Sequence, residues 1–123
     1  MSFRTSFITW SLEQFPELSR DFAGASAKTR LHFAFLVFRN HTQAAIDNHD
    51  RERLLELFEM ADRVLACAYP KMRSLFHVVY IEELQFHDQR TLRSWAIELL
   101  TKAYPTVQAG IFSNRLNPTS TMI

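Results

Sequence analysis

Leu57-Phe58-Glu59-Met60-Ala61-Asp62-Arg63-Val64-Leu65-Ala66-Cys67-Ala68-Tyr69-Pro70 decides the fold, because the stretch returns at positions 92 to 105. The second copy reads Leu92-Arg93-Ser94-Trp95-Ala96-Ile97-Glu98-Leu99-Leu100-Thr101-Lys102-Ala103-Tyr104-Pro105. Leu57/Leu92, Ala61/Ala96, Leu65/Leu100, Ala68/Ala103, Tyr69/Tyr104 and Pro70/Pro105 are identical, and Met60/Trp95 and Val64/Leu99 are apolar in both. The matched positions recur at i, i+3/i+4, i+7/i+8 and i+11, the spacing of one buried helix stripe, and both copies stop at the same Ala-Tyr-Pro break. This pattern predicts an all-α fold of stacked antiparallel helical pairs, HEAT-like or an irregular helical bundle. Such architectures commonly present a surface to a partner. Leu57, Ala61, Leu65, Leu92, Ala96 and Leu100 are expected to be buried.

Upstream of the repeat, a first helix is expected from about Ser6 to Phe15, with Phe7, Trp10, Leu12 and Phe15 as its apolar positions. Pro16 ends it or opens a short turn holding Leu18 and Phe22, since proline cannot continue the hydrogen-bond ladder. Gly24-Ala25-Ser26 reads as a loop with Ser26 as N-cap, followed by a long helix from Ala27 to about Asn48. Leu31, Ala34, Phe35, Phe38, Ala45 and Ile46 suit one face of it, and Phe33, Leu36 and Val37 widen that face. Asn48-His49-Asp50 breaks the pattern, with Asp50 placed to cap the helix of the first repeat copy, Arg51 to Ala68.

Downstream, Pro70 suits the first turn of a helix reaching about Phe86, with Met72, Leu75, Phe76, Val79 and Leu84 facing the core. Phe76 to Ile81 also has the composition of a buried strand. Its flanks favour helix, because the apolar pattern runs on past eight residues and carries Glu82-Glu83 without a turn. His87-Asp88-Gln89 is the next break, and the second copy spans Gln89 to Ala103. Residues 1–113 are expected to form one helical domain and 114–123 a flexible tail. Two copies are fewer than a free-standing solenoid requires, so the N-terminal helices must close the core.

Composition narrows the function classes. The chain of 123 residues has room for one core, and 47% hydrophobic with 22% charged residues is a globular composition. Gly24 and Gly110 are the two glycines, so no Gly-rich phosphate loop can be written. A formal net charge of +1 supplies little drive toward nucleic acid or an anionic membrane. Cys67 is a lone cysteine, which fits a reducing cytoplasm and the role of a small buried hydrophobe. Met1 to Phe7 lacks the apolar core of a secretory signal, and the longest apolar stretch, Phe33 to Phe38, is far short of a membrane span. A cytoplasmic protein is the expectation.

Chemistry-bearing constellations are sparse. His32, His41, His49, His77 and His87 form no His-x-x-x-His pair, and Glu83 with His87 offers two ligands at most, so neither metal nor other cofactor is expected. Ser74 and His77 lie three apart on one helix without any sign of an oxyanion hole, and Glu82 and Glu83 point to different faces. No catalytic residue is assigned and no enzymatic activity is expected. Charge patterning says more. Glu52, Glu56 and Glu59 at i, i+4 and i+7 make an acidic stripe on the outer side of the repeat helix, extended by Asp62 and Arg63. Glu82 and Glu83 add further carboxylates, and Arg90 and Arg93, near Lys71 and Arg73, form a smaller basic group. The plain reading is solvated helix faces with local ion pairs. The sharper one is a partner-binding surface of Glu52, Glu56, Glu59, Asp62, Glu82, Glu83, Arg90 and Arg93, whose acidic stripe docks a basic protein. Eleven phenylalanines, with Phe3, Phe7, Trp10, Phe33, Phe35 and Phe38 prominent, are core material or a hydrophobic interface, a homodimer included.

Phe15-Pro16-Glu17-Leu18 closing an N-terminal helix, the helix Leu54 to Leu65, and Val78-Val79-Tyr80-Ile81-Glu82-Glu83-Leu84 together resemble small all-helical bacterial immunity proteins of contact-dependent and polymorphic toxin systems. The resemblance covers about the first hundred residues. It implies a protein that binds and blocks one cognate toxin domain. Because members diverge quickly, it carries over no binding residue. A protein-binding module therefore ranks first, with no nucleic-acid or membrane partner. A homo-oligomeric structural or regulatory protein ranks second. Third is a small-ligand or enzymatic domain with His77, Tyr80 and Glu83 lining a pocket between helices.

Overall fold

A computed structural model of the chain describes residues 2–67, 69–84 and 106–107. Every regular element among them is helical: α1 Phe3–Gln14, α2 Leu18–Phe22, α3 Ala27–Asp47, α4 Arg51–Ala66, α5 Pro70–Phe76, and a π-helical turn His77–Ile81 continuing α5. The protein is an all-α helical bundle. The second repeat copy lies outside the described residues.

Helix boundaries follow local chemistry. Ser2 starts α1 earlier than the apolar pattern suggests, because its Oγ accepts the Thr5 backbone N–H at 3.2 Å. Pro16 then interrupts the ladder, and α2 begins where the Leu18 N–H donates to the Phe15 carbonyl at 2.9 Å. Gly24 has φ +73°, a left-handed conformation that permits the α2–α3 turn with little steric cost. Ser26 caps α3 through the Thr29 N–H at 3.3 Å, as its position before an apolar-periodic run predicts.

Asn48-His49-Asp50 makes a compact joint. His49 takes φ +54°, its N–H donates to the Ile46 carbonyl at 3.2 Å, and the Asp50 N–H donates to the Ala45 carbonyl at 2.8 Å. This is a Schellman closure with a non-glycine residue in the left-handed position. The Asp50 carboxylate immediately accepts the Arg53 N–H at 3.2 Å, so one residue closes α3 and opens α4.

Helix α3 occupies the centre, in contact with α1, α2, α4 and the π turn. The core accordingly condenses around Phe38, whose ring neighbours Phe7, Trp10, Phe15, Phe76 and Tyr80 with centroid separations of 4.8–6.1 Å. Phe7, Phe35 and Phe38 are fully buried, so most of the aromatic surplus is core; Phe3, Trp10 and Phe33 are only half-buried. On α4 the inward residues are Leu54, Leu57, Phe58, Met60, Ala61 and Val64. Leu57 and Ala61 are buried as expected, but Leu65 is half-buried, because α4 turns Val64 inward and the next residue swings about 100° away.

The segment with strand-like composition is helical, yet not uniformly α. After Phe76 the ladder widens, and the Glu82 N–H reaches the His77 carbonyl five residues back at 3.0 Å. The helix expected to reach Phe86 instead leaves its π turn at Ile81. The wider turn holds three consecutive side chains inside, Val79, Tyr80 and Ile81, while Val78 stays 56% exposed. Phe76 and Tyr80 stack face to face, with centroids 4.4 Å apart and planes 14° apart.

Candidate functional site: a groove between α1 and α4

Helices α1 and α4 both rest on α3, and their side chains bridge at two points. At one end Arg53 Nη1 donates to Gln14 Oε1 at 3.0 Å, and its guanidinium lies over Phe15, 5.9 Å from the ring centroid. At the other, the Arg63 guanidinium lies over Phe3, also at 5.9 Å. The first turn of α1 therefore faces the last turn of α4, an antiparallel arrangement. Between the bridges opens a cleft of about 180 Å³ lined by Trp10, Gln14, Glu56, Glu59, Met60 and Arg63.

The cleft has an aromatic wall and an acidic rim. Trp10 is stacked on Phe7 (5.8 Å) and meets Phe15 edge-on (5.6 Å), which fixes the indole without burying it completely. Met60 is 7% exposed and closes the floor. Glu56 and Glu59 are exposed on α4. Glu56 is 3.6 Å from Arg53. Glu59 and Arg63, four residues apart, are spaced for a helical ion pair, yet Glu59 makes none among the described residues.

Not every acidic residue singled out by its spacing belongs here. Glu52 is exposed in the first turn of α4, where its charge suits the helix dipole. Asp62 is half-buried and accepts the Thr106 backbone N–H at 3.2 Å, tying Thr106, next to buried Val107, to α4. Glu82 lies 3.4 Å from His77 Nδ1, and Glu83 lies 3.8 Å from Arg39, so both are engaged within the chain away from the groove. Arg90 and Arg93 lie outside the described residues. The sequence reading places Arg63 on the charged stripe and Trp10 among core or interface aromatics, but it does not single out Gln14 or Met60, although a signal for all four exists. Positions 3, 7, 10 and 14 of α1 and 53, 56, 60 and 63 of α4 each trace one helix face.

His77, Tyr80 and Glu83 do not converge on a pocket. Tyr80 is fully buried and its hydroxyl lies 2.9 Å from Thr42 Oγ1. Burial pushes this phenol far above its usual range, against a smaller opposing effect of the Thr42 hydrogen bond. His77 and Glu83 point to separate salt bridges. No group of three metal-binding side chains occurs among the described residues. Cys67 is half-buried, not enclosed, and its carbonyl accepts a hydrogen bond from Arg73 Nη1. No described helix is long and apolar enough to cross a membrane.

An all-α bundle with a surface groove between two helices is thus the class of protein the fold defines. The chain belongs to the DUF7674 family, a domain of unknown function whose sequence profile matches residues 8–110. No curated protein and no solved structure matches it.

Proposed function

We propose that this domain is a protein-binding module, in its most concrete form a cytoplasmic immunity protein that binds and neutralises a cognate bacterial toxin. One observation carries the binding reading. The α1–α4 groove joins a fixed, half-buried tryptophan to two exposed carboxylates, one of them without an ion-pair partner among the described residues. Tryptophan, with tyrosine and arginine, is enriched where protein interfaces concentrate their binding energy. The toxin reading adds the resemblance carried by Phe15 to Leu18, Leu54 to Leu65 and Val78 to Leu84. In this reading the partner is a protein, not nucleic acid or a membrane, and no cofactor takes part.

The test is co-expression with the product of any neighbouring toxin-like reading frame, followed by binding kinetics at two salt concentrations. Glu56→Lys with Glu59→Lys is expected to slow association about tenfold or more and to flatten its salt dependence, because rim charges act mainly on encounter. Absence of any complex would overturn the toxin reading. A homo-oligomer is the second reading, favoured by Tyr69 at 47% and Val78 at 56% exposure. Light scattering across a range of protein concentrations decides it.

A further inference from the structure

Along the groove, arginine and aromatic ring meet repeatedly. Arg63 covers Phe3 at one end and Arg53 covers Phe15 at the other, while on the α2–α3 side Arg30 lies 6.0 Å from the Phe22 centroid. Trp10 sits between the two bridged ends, on the richest π surface of the set, and no arginine of the described chain covers it. Beside it stand Glu56 and Glu59, while Arg63, the base spaced to neutralise Glu59, is turned to Phe3 instead. Glu56 is shared with Arg53 at 3.6 Å, but Glu59 has no ion-pair partner among the described residues, so the middle position has its ring and one carboxylate still unpaired.

We infer that the α1–α4 groove is a socket for one arginine side chain of a protein partner, the guanidinium stacking on Trp10, pairing with Glu59 and sharing Glu56 with Arg53. The inference deepens the protein-binding reading and rests on it. Size selects a single side chain, since about 180 Å³ is well below the roughly 300 Å³ at which drug-sized ligand pockets begin. The carboxylate of Glu59, unpaired among the described residues, selects a cation. Shape selects arginine over lysine, because a planar guanidinium can stack on an indole and present its N–H edge to carboxylates together, whereas an ammonium is a compact, strongly hydrated point charge. The aromatic contacts that hold Trp10 mean that little ordering is needed on binding.

The test titrates the full chain with the peptide acetyl-Ala-Arg-Ala-amide while the Trp10 indole N–H is followed by NMR, its signal assigned with Trp95→Phe. A saturable shift is expected, with Kd on the order of millimolar for so small a probe. The lysine peptide should bind several-fold more weakly, and the uncharged citrulline peptide should leave Trp10 unmoved. Glu56→Gln with Glu59→Gln, both exposed positions, should keep the backbone spectrum and weaken the arginine peptide roughly fivefold or more. Equal shifts with arginine and citrulline, or no shift at about 50 mM peptide, overturn the socket. So does a concentration-dependent shift of Trp10 without peptide, which would place a second copy of this chain in the groove. A protein partner that binds while Trp10 ignores the peptide removes the socket and leaves the binding module. Peptide binding in a chain with no cognate toxin keeps the socket and removes the toxin reading.

Discussion

The Tyr80 hydroxyl donates to Thr42 Oγ1 across 2.9 Å of fully buried core, joining two residues 38 positions apart. The direction follows from proton counting. Thr42 spends its single hydroxyl proton on the Phe38 carbonyl at 3.0 Å, so it can only accept from Tyr80. The bond fastens the π turn to the middle of α3 and fixes how the last described helix meets the core.

Removing the acceptor should cost more than removing the donor. Tyr80→Phe loses one hydrogen bond and no volume, an expected loss of about 1 kcal/mol. Thr42→Val strands the Tyr80 hydroxyl in apolar surroundings, and about 1–3 kcal/mol is expected. The double substitution should cost less than the sum of the two. Urea unfolding of the four proteins measures the coupling, and strict additivity would mean the hydroxyls do not interact in solution.

Tyr80 should also make the fold sensitive to alkali. Its folded pKa is raised by burial, so the neutral phenol belongs to the native state, whereas the unfolded chain ionises it near pH 10. The stabilising contribution is complete below that pH and is lost as pH rises beyond it. Tyr80→Phe should remove part of this alkaline loss, read from unfolding free energies between about pH 8 and 11.

Glu17 behaves in the opposite sense. Its carboxylate lies 2.9 Å from His41 Nε2, and that hydrogen bond is the main reason its pKa is held below the usual glutamate value. The contribution to stability is present above the unfolded carboxyl pKa and lost as pH falls through the lowered one; at an exposed site it is small. His41→Phe, which keeps a ring against Phe15, should return the Glu17 pKa upward, as measured by a carboxyl-carbon NMR titration.

The α3–α4 joint offers a stabilising change. His49 holds φ +54°, so His49→Gly should raise stability by about 0.5–1 kcal/mol, and His49→Val should lower it. Asp50→Ala removes the α4 N-cap and should cost about 1 kcal/mol in the same denaturant assay.

Identical repeat positions should not respond alike. Leu57 is fully buried and Leu65 half-buried, so Leu57→Ala should cost about 2–5 kcal/mol and Leu65→Ala markedly less. Equal losses would contradict the rotation of α4 described above.

Much of the architecture was legible in the residues themselves. Apolar spacing located the helices, Pro16 and Asn48-His49-Asp50 marked breaks, and Ser26 and Asp50 announced their caps. These features are local, because helix periodicity, the missing proline N–H and a side chain capping the third residue on are decided within a few positions of the chain. Tertiary structure decided the rest. Neighbouring helices set the rotation of α4, which turns Val64 inward and leaves Leu65 at the margin. The need to bury Val79, Tyr80 and Ile81 together coincides with a π turn that no helical pattern specifies. Asp62 read as the end of an exposed acidic stripe until Thr106, distant in sequence, became its partner. Trp10 read as core material or as part of a hydrophobic interface, and only the meeting of α1 with α4 left its indole beside Glu56 and Glu59 in a groove. Local periodicity tells a side chain which face it occupies; what that face meets depends on helices brought together by burial of the whole core.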